Sequence, residues 1–261
     1  MAIHPTAIVD PRAQLGRDVD ILPFTIVDAG VTIGDRCRIG PHAVIRGGTT
    51  IGEGCEISVG VVLGEPPQDR KYKGEESYLR IGNYNQIREY VTLHRATGEG
   101  ESTVVGDHNM IMAYCHAGHN VRIGSHCSIT NSVQISGHCV IEDYVIMGGM
   151  SGLHQFVTVG TMAMVGGMSR NVRDVPPYCI VEGNPAEVRG LNVIGLERRG
   201  LSAEVRGHLR QAFRLLFRSE YNVSDGLAAI AEQIPMSPEV QHLCESVRLT
   251  AAGNMGRQLA H

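Results

Sequence analysis

An aliphatic side chain returns at every sixth position from Ile3 to Val165. Of the 28 positions in this phase, 23 are Ile, Leu or Val; Ala117 and Met147 are also apolar, and only Asp69, Glu75 and Glu99 are polar. A period of six belongs to neither an α-helix nor a flat sheet. It is the repeat of a solenoid whose short parallel strands turn a corner after each hexapeptide. Three hexapeptides close one triangular coil, so equivalent residues of successive coils stack at one strand spacing, about 4.8 Å. The position four beyond each aliphatic residue supports this, because it holds small or β-branched side chains (Ala7, Ala13, Val19, Thr25, Val31, Cys37, Ala43). The position one beyond it is rich in glycine (Gly16, Gly34, Gly40, Gly52, Gly82), which predicts corners that need unusual φ.

The pattern breaks twice and then ends. Residues 1–63 run without interruption and read as scaffold. Residues 64–80 leave the pattern: Pro66-Pro67 stop the strand and seven charged side chains follow, Arg70, Lys71 and Lys73 among them. The segment between Leu63 and Ile81 either replaces a coil or loops out of one, and loops on a rigid scaffold commonly carry function. A second departure, 97–103, is short, Gly-rich and acidic, and reads as a turn rather than a site. The repeat dissolves after residue 170, and from Ser202 the period becomes helical. Val205, Leu209, Ala212, Phe213, Leu216 and Phe217 form one apolar face, with Ser202 as N-cap. Ser224 and Ser237-Pro238 read as two further helix starts. The expected organisation is residues 1–190 as a β-helix with its excursion near 64–80, and residues 191–261 as a small helical domain that shields the solenoid's open end.

Composition narrows the function classes. The absence of Trp and scarcity of aromatics suit a narrow core of Ile and Val. A net charge of −4 offers no general attraction to nucleic acid or to an anionic membrane. No apolar run reaches membrane-span length, and the N-terminus has no secretory apolar region. Seven Cys occur without a CxxC pair, and five of them (Cys37, Cys55, Cys115, Cys127, Cys139) occupy the small-residue column. That placement fits buried thiols in a reducing cytosol better than metal or disulfide roles. The expected location is cytoplasmic.

Twelve His is a high count for this length. His42, His108 and His126 fall at turns and read as surface residues. The group His116-Ala117-Gly118-His119-Asn120 differs, because Ala117 is the one Ala in the aliphatic column and narrows the coil beside two imidazoles. One coil beyond His119 stands Gly137, and one coil further stands Gln155. The column offers an imidazole, a peptide N–H with no side chain over it, and an amide: a base, an oxyanion donor and a polar anchor. A satisfied structural histidine is the alternative reading of His119. Three histidines shared across a subunit interface could instead hold zinc. His116, His119, His138 and His94 would then have to converge, yet HxxH in such a coil points its rings to different sides, so no metal is expected. The glycines recur at sixes, not as a GxGxxG before a helix, which excludes a phosphate-cradling loop of that kind. Cys115 occupies an inward column, so base-catalysed direct transfer fits better than a covalent enzyme intermediate.

With Gln68-Asp69-Arg70-Lys71-Tyr72, Ile87-Arg88-Glu89, Thr92-Leu93-His94-Arg95, His116-x-x-His119, Gly137-His138, His154-Gln155-Phe156 and Leu196-Glu197-Arg198-Arg199-Gly200, the chain resembles the UDP-N-acetylglucosamine O-acyltransferases of lipid A biosynthesis. The resemblance covers essentially the whole chain. It implies a mainly β fold, a left-handed parallel β-helix with a small C-terminal α-helical domain, assembled as a homotrimer with sites between subunits. It implies transfer of a 3-hydroxyacyl group from acyl carrier protein to the 3-hydroxyl of UDP-N-acetylglucosamine, without a cofactor. His119 becomes the general base and the Gly137 N–H the oxyanion donor, the same two positions that the stacked column singles out. Asp69, Lys71, His94, His116, His138, His154, Gln155, Asn192, Arg198 and Arg199 become substrate contacts, and Gly167 lies on the acyl-chain slot. Two positions depart from the family's pattern. The residue after the base is usually Asp and is Asn120 here, which can orient a sugar hydroxyl but adds no charge to raise the basicity of His119. Ile194 stands where a carboxylate would be expected to hold the ribose.

One feature of the tail points to a partner. Arg206, Arg210, Arg214 and Arg218 recur every four residues, opposite the apolar face of their helix. From Arg189 to Arg218 seven Arg stand against two Glu, a local balance of +5. Such runs are usually solvated faces, but a basic patch also steers an acidic acyl carrier protein. Neighbouring readings are a related N-acyltransferase, a CoA-dependent acetyltransferase, or a carbonic-anhydrase-like metal-binding trimer. The N-acyltransferase would be expected to carry a separate N-terminal uridine-binding domain, whereas here the repeat begins at Ile3.

Overall fold

A computed structural model describes residues 2–253. The hexapeptides form three sheets around one core: a first face of 11 strands starting at Ala2–Ile3, a second of 9 starting at Ile8–Val9, and a third of 8 starting at Gln14–Leu15. From coil to coil the pairing is parallel and in phase, so that Ile21 lies beside Ile39 and Ile39 beside Ile57. The aliphatic and small columns both point inward, and Ile33, Ile45, Leu63, Ile87, Ile111 and Ile135 are among the side chains fully buried there. Each such burial stabilises the coil by about 1.5–3 kcal/mol. The expected β-helix, left-handed, is the architecture found.

The glycines one beyond the aliphatic column have a different purpose from the one expected. None of Gly16, Gly34, Gly40, Gly52 or Gly82 has positive φ. A Cβ on Gly34 would lie 2.7 Å from the backbone of Gly52 and Glu53 in the next coil, so these positions exclude a side chain because the coils approach too closely. Positive φ falls two residues later, at the outer corner residue, on Phe24, His42, Tyr84, His108, Asn120 and His138 among others.

Three corners join the faces. Both departures from the repeat leave the second corner, between second and third faces. Residues 64–80 loop out, not replacing a coil, because the second-face strand Val62–Glu65 still hands over to the third-face strand Tyr78–Ile81. Residues 97–103 do the same between Thr92–His94 and Ser102–Val105. The loops are stitched together: Gly98 N–H donates to Glu75 Oε1 (3.3 Å) and Glu76 N–H to Glu99 Oε2 (3.2 Å).

After the last coil, Cys179–Gly183 and Ala186–Leu191 form an antiparallel hairpin on the first face. Four helices follow: α1 (Val193–Arg198), α2 (Ala203–Phe217), α3 (Val223–Gln233) and α4 (Pro238–Ala251). Helix α1 is unforeseen, because six residues are too few to display a helical period. Ser202 and Ser237 cap α2 and α4 as expected. The N-cap of α3 lies two residues before the expected Ser224, because Asn222 Oδ1 accepts the Asp225 N–H at 2.9 Å and caps first. Leu209, Ala212, Phe213, Ile230 and Leu243 pack with Tyr178, Cys179 and Leu191, and α2 lies against the last strand. Glu142 Oε2 lies 3.2 Å from His242 Nε2, which fastens α4 to the coil. Residues 254–261 of the expected helical region lie outside the described residues. Among the described residues no helix is long and apolar enough to cross a membrane.

Candidate active site

His119 and Asn120 follow the second-face strand His116–Ala117 and turn the second corner. The next coil stacks directly on them, since His138 N–H donates to the His119 carbonyl at 3.0 Å. That stacking puts Gly137 against the His119 ring: a Cβ there would lie 2.7 Å from both Cε1 and Nε2. Only glycine leaves room for the imidazole. Among the described residues no protein acceptor takes the Gly137 N–H. The His138 ring meets His119 edge-on at 5.0 Å and stacks on Phe156 at 4.6 Å.

The other face of the ring is equally defined. His119 Nδ1 lies 3.0 Å from Asn120 Oδ1. The amide oxygen has no proton to give, so Nδ1 carries the hydrogen and Nε2 keeps its lone pair. Asn120 therefore stands behind the imidazole and orients it, with its amide also bonded to Thr97. This contact with the imidazole is not among the expectations for the residue. Thr97 belongs to the excursion that reads as a plain turn in the sequence, and its contact with residue 120 is visible only once both loops leave one corner.

Three further imidazoles surround the site. His116 Nδ1 lies 2.8 Å from Thr92 Oγ1, and His94, itself buried, meets His116 edge-on at 5.0 Å. Burial pushes His116 down to about 4, with the neighbouring His94 adding to the effect. Burial likewise lowers His94 and His138, although Asp69 and Glu101 partly oppose it at His138. At neutral pH these rings therefore offer hydrogen bonds and no positive charge. Asp69 Oδ1 accepts the Lys71 N–H at 2.9 Å within the loop, leaving Lys71 exposed.

A groove of about 340 Å³ begins one coil beyond His119, lined by Ser136, Met150, Leu153, His154 and Met168. Gln155 is exposed at the corner next to His154. Gly167 precedes Met168, and a Cβ on it would approach Gly149 O to 3.3 Å.

The remaining expected residues lie elsewhere. Asn192 is buried and caps α1: its Oδ1 accepts the Gly195 N–H (3.1 Å) and its Nδ2 donates to the Met162 carbonyl (2.9 Å). In this chain Asn192 thus serves as the cap of α1. The Arg199 guanidinium lies 4.7 Å over the Tyr144 ring, at the third corner, and Arg198 and Ile194 are exposed on the same short helix. One chain alone does not bring this group to His119 at the second corner. Within the arginine stripe, Arg210 and Arg214 are exposed, but Arg206 is paired with Glu197 at 3.1 Å and largely covered. Arg218 donates to the Arg189 carbonyl at 2.7 Å. His42 and His108 are exposed, as expected, and His126 is half-buried; their rings stack, His42 on Phe24, and Tyr84, His108, His126 and Tyr144 in a continuous ladder up the third corner. Among the described residues no group of three or more His, Cys, Asp or Glu is arranged to hold a metal ion.

The hexapeptide coil closed by a small helical domain has the architecture of a hexapeptide-repeat transferase. Comparisons with known proteins narrow this. The bacterial transferase hexapeptide family (six repeats) matches residues 12–47, 30–65 and 102–137, and domain 2 of UDP-N-acetylglucosamine O-acyltransferase matches residues 174–255. An acyl-[acyl-carrier-protein]–UDP-N-acetylglucosamine O-acyltransferase from Thermodesulfovibrio yellowstonii is 41% identical over 252 residues, covering 96% of this chain and 98% of the relative. The protein of that name from Synechocystis is 52% identical over 183 residues, which span 70% of this chain and 66% of that protein. The crystal structure of a UDP-N-acetylglucosamine acyltransferase from Bacteroides fragilis is similar with a TM-score of 0.92 at 40% identity, over 95% of this chain and 97% of that one. The chain belongs to the UDP-N-acetylglucosamine O-acyltransferase family.

Proposed function

We propose that this chain moves a 3-hydroxyacyl group from acyl carrier protein to the 3-hydroxyl of UDP-N-acetylglucosamine, the opening step of lipid A biosynthesis. The observation that carries this reading is the His119 ring, bonded to Asn120 through Nδ1 and set against a glycine whose N–H no group among the described residues takes. Nε2 accepts the hydroxyl proton as the sugar oxygen attacks the thioester carbonyl. The Gly137 N–H holds the developing oxyanion. Collapse expels the carrier's thiolate, which takes the proton back from the imidazolium. The thioester is already activated, so the chemistry draws on no cofactor. His94, His116, His138, His154, Gln155, Asp69 and Lys71 surround the bound substrates.

The working unit is a homotrimer. Phe24, Tyr90, Tyr114, Met150 and Met168 are all at least half exposed along the first corner, an apolar edge that a second copy would cover. A neighbouring copy would also carry its Arg198 and Arg199 to His119. The seven unpaired cysteines suit a reducing cytoplasm. The test is an acyl-transfer assay with UDP-N-acetylglucosamine and carrier proteins bearing 3-hydroxyacyl chains of graded length. Equal or faster transfer from acyl-CoA, or no transfer to this sugar nucleotide, would refute the reading.

Two further expectations concern the substrates. The groove beside Gly167 would take the acyl chain, so Gly167→Met should shorten the preferred chain, each excluded methylene being worth up to about 0.8 kcal/mol. An unchanged length profile would place the ruler elsewhere. Arg214 lines a groove of about 330 Å³ with Gln211, Leu215 and Gln233, Arg210 is exposed one turn before it, and the two would steer the acidic carrier. Reversing both to Glu should raise KM for the acyl carrier severalfold at low salt, spare KM for the nucleotide, and lose its effect as ionic strength rises. Equal losses for both substrates would assign the pair to the fold.

A further inference from the structure

The structure assigns Thr97 as a positioning residue that, through Asn120, keeps the His119 proton on Nδ1 and its lone pair on Nε2. The inference rests on the reading of His119 as base. Asn120 sits at a corner with φ of 58°, a conformation that Asn tolerates well, and its own N–H is held by Thr103 Oγ1 at 2.9 Å. Its backbone is therefore fixed, but a backbone does not decide which end of an amide faces His119. A flipped amide would present NH₂ to Nδ1, select the other tautomer, and place the ring proton on the nitrogen that must accept one.

Thr97 supplies the decision from three sides. Its N–H lies 3.0 Å and its Oγ1 3.1 Å from Asn120 Oδ1, and its carbonyl accepts from Asn120 Nδ2 at 3.1 Å. Flipping the amide would set NH₂ against a peptide N–H and oxygen against a carbonyl, turning attractions into repulsions. The order His119–Asn120–Thr97 is thus a relay of orientation with one allowed sense. Thr97 is held in turn by its neighbour, because the Gly98 N–H bonds Glu75 of the longer loop. The excursion at 97–103 therefore has a purpose that its composition conceals.

Thr97→Val removes the hydroxyl and keeps the shape. One neutral hydrogen bond is worth about 1 kcal/mol, so kcat should fall about fivefold with both KM values within twofold, and Thr97→Ser should restore it. In an Asn120→Ala background the same Thr97→Val change should cost less than about 1.5-fold, since the relay is already cut. Equal losses in the two backgrounds, or a parent-like kcat for Thr97→Val, overturn the inference. Imidazole ¹⁵N resonances, assigned to His119 by their loss in His119→Ala, give a readout independent of catalysis. The parent should be protonated on Nδ1, and a ring protonated on Nε2 overturns the inference. If the Nδ1 tautomer is found while His119→Ala remains fully active, the positioning stands and the base assignment falls.

Discussion

His119→Ala should lower kcat by about 10²–10⁴, the usual cost of losing a general base, with little change in stability. The ring lies outside the aliphatic column and fills no part of the coil interior: the core residue of its strand is Ala117. The melting temperature should therefore stay within a few degrees of the parent while turnover collapses. Activity within threefold of the parent would remove His119 from the mechanism. His94, His116 and His138 could not take its place with equal effect, since burial lowers the basicity of each. His116 makes a useful comparison. It is an imidazole of the same coil read as a substrate contact and not as the base, so its substitution should lower kcat less than His119→Ala does.

Gly137→Ala should be nearly as damaging by a separate route, with kcat down about 10²-fold, the scale expected for misplacing a reacting group by about 1 Å. Gly137 has no positive φ, so the backbone accepts a side chain there. What does not accept it is the imidazole, which the new Cβ would meet at 2.7 Å from Cε1 and Nε2 and 3.1 Å from Cδ2. A side chain yields more readily than a coil, so the ring should swing off Asn120 and away from the glycine N–H. This gives a second, sharper outcome. In a His119→Ala background the conflict no longer exists, and Gly137→Ala should cost less than about threefold more. A further full hundredfold loss in that background would mean that the methyl blocks the substrate or the oxyanion, not the base.

Part of this site is legible without coordinates because a solenoid translates sequence distance into spatial distance. Once three hexapeptides make a coil, His119 and Gly137 must stack, and the hydrogen bond from His138 N–H to the His119 carbonyl is that stacking observed. The reading fails where the register changes. Residues 64–80 and 97–103 insert at a corner, so Ile57 pairs with Ile87 and Ile87 with Ile111. Which corner they leave, and hence that Thr97 reaches Asn120, depends on counting faces through the inserts. The tail is less legible still. Nothing in the spacing of Asn192 indicates that its amide is spent on Gly195 and Met162, nor that Arg206 is neutralised by Glu197.

By itself the sequence determined the coil, its core and the vertical order of residues along each column, because a period of six with inward aliphatic side chains admits one way of burying them. It also placed the helix face that begins after Ser202, through a cap and a 3.6-residue period. The tertiary structure alone decided which polar groups meet sideways. It made the recurring glycines places of close coil contact, set the amide of Asn120 between Thr97 and His119, and parted Arg199 from His119 by a corner of the prism. Periodicity is a one-dimensional signal that fixes stacking along the axis; hydrogen-bond partners around a corner depend on loop paths and side-chain direction, which have no period to read.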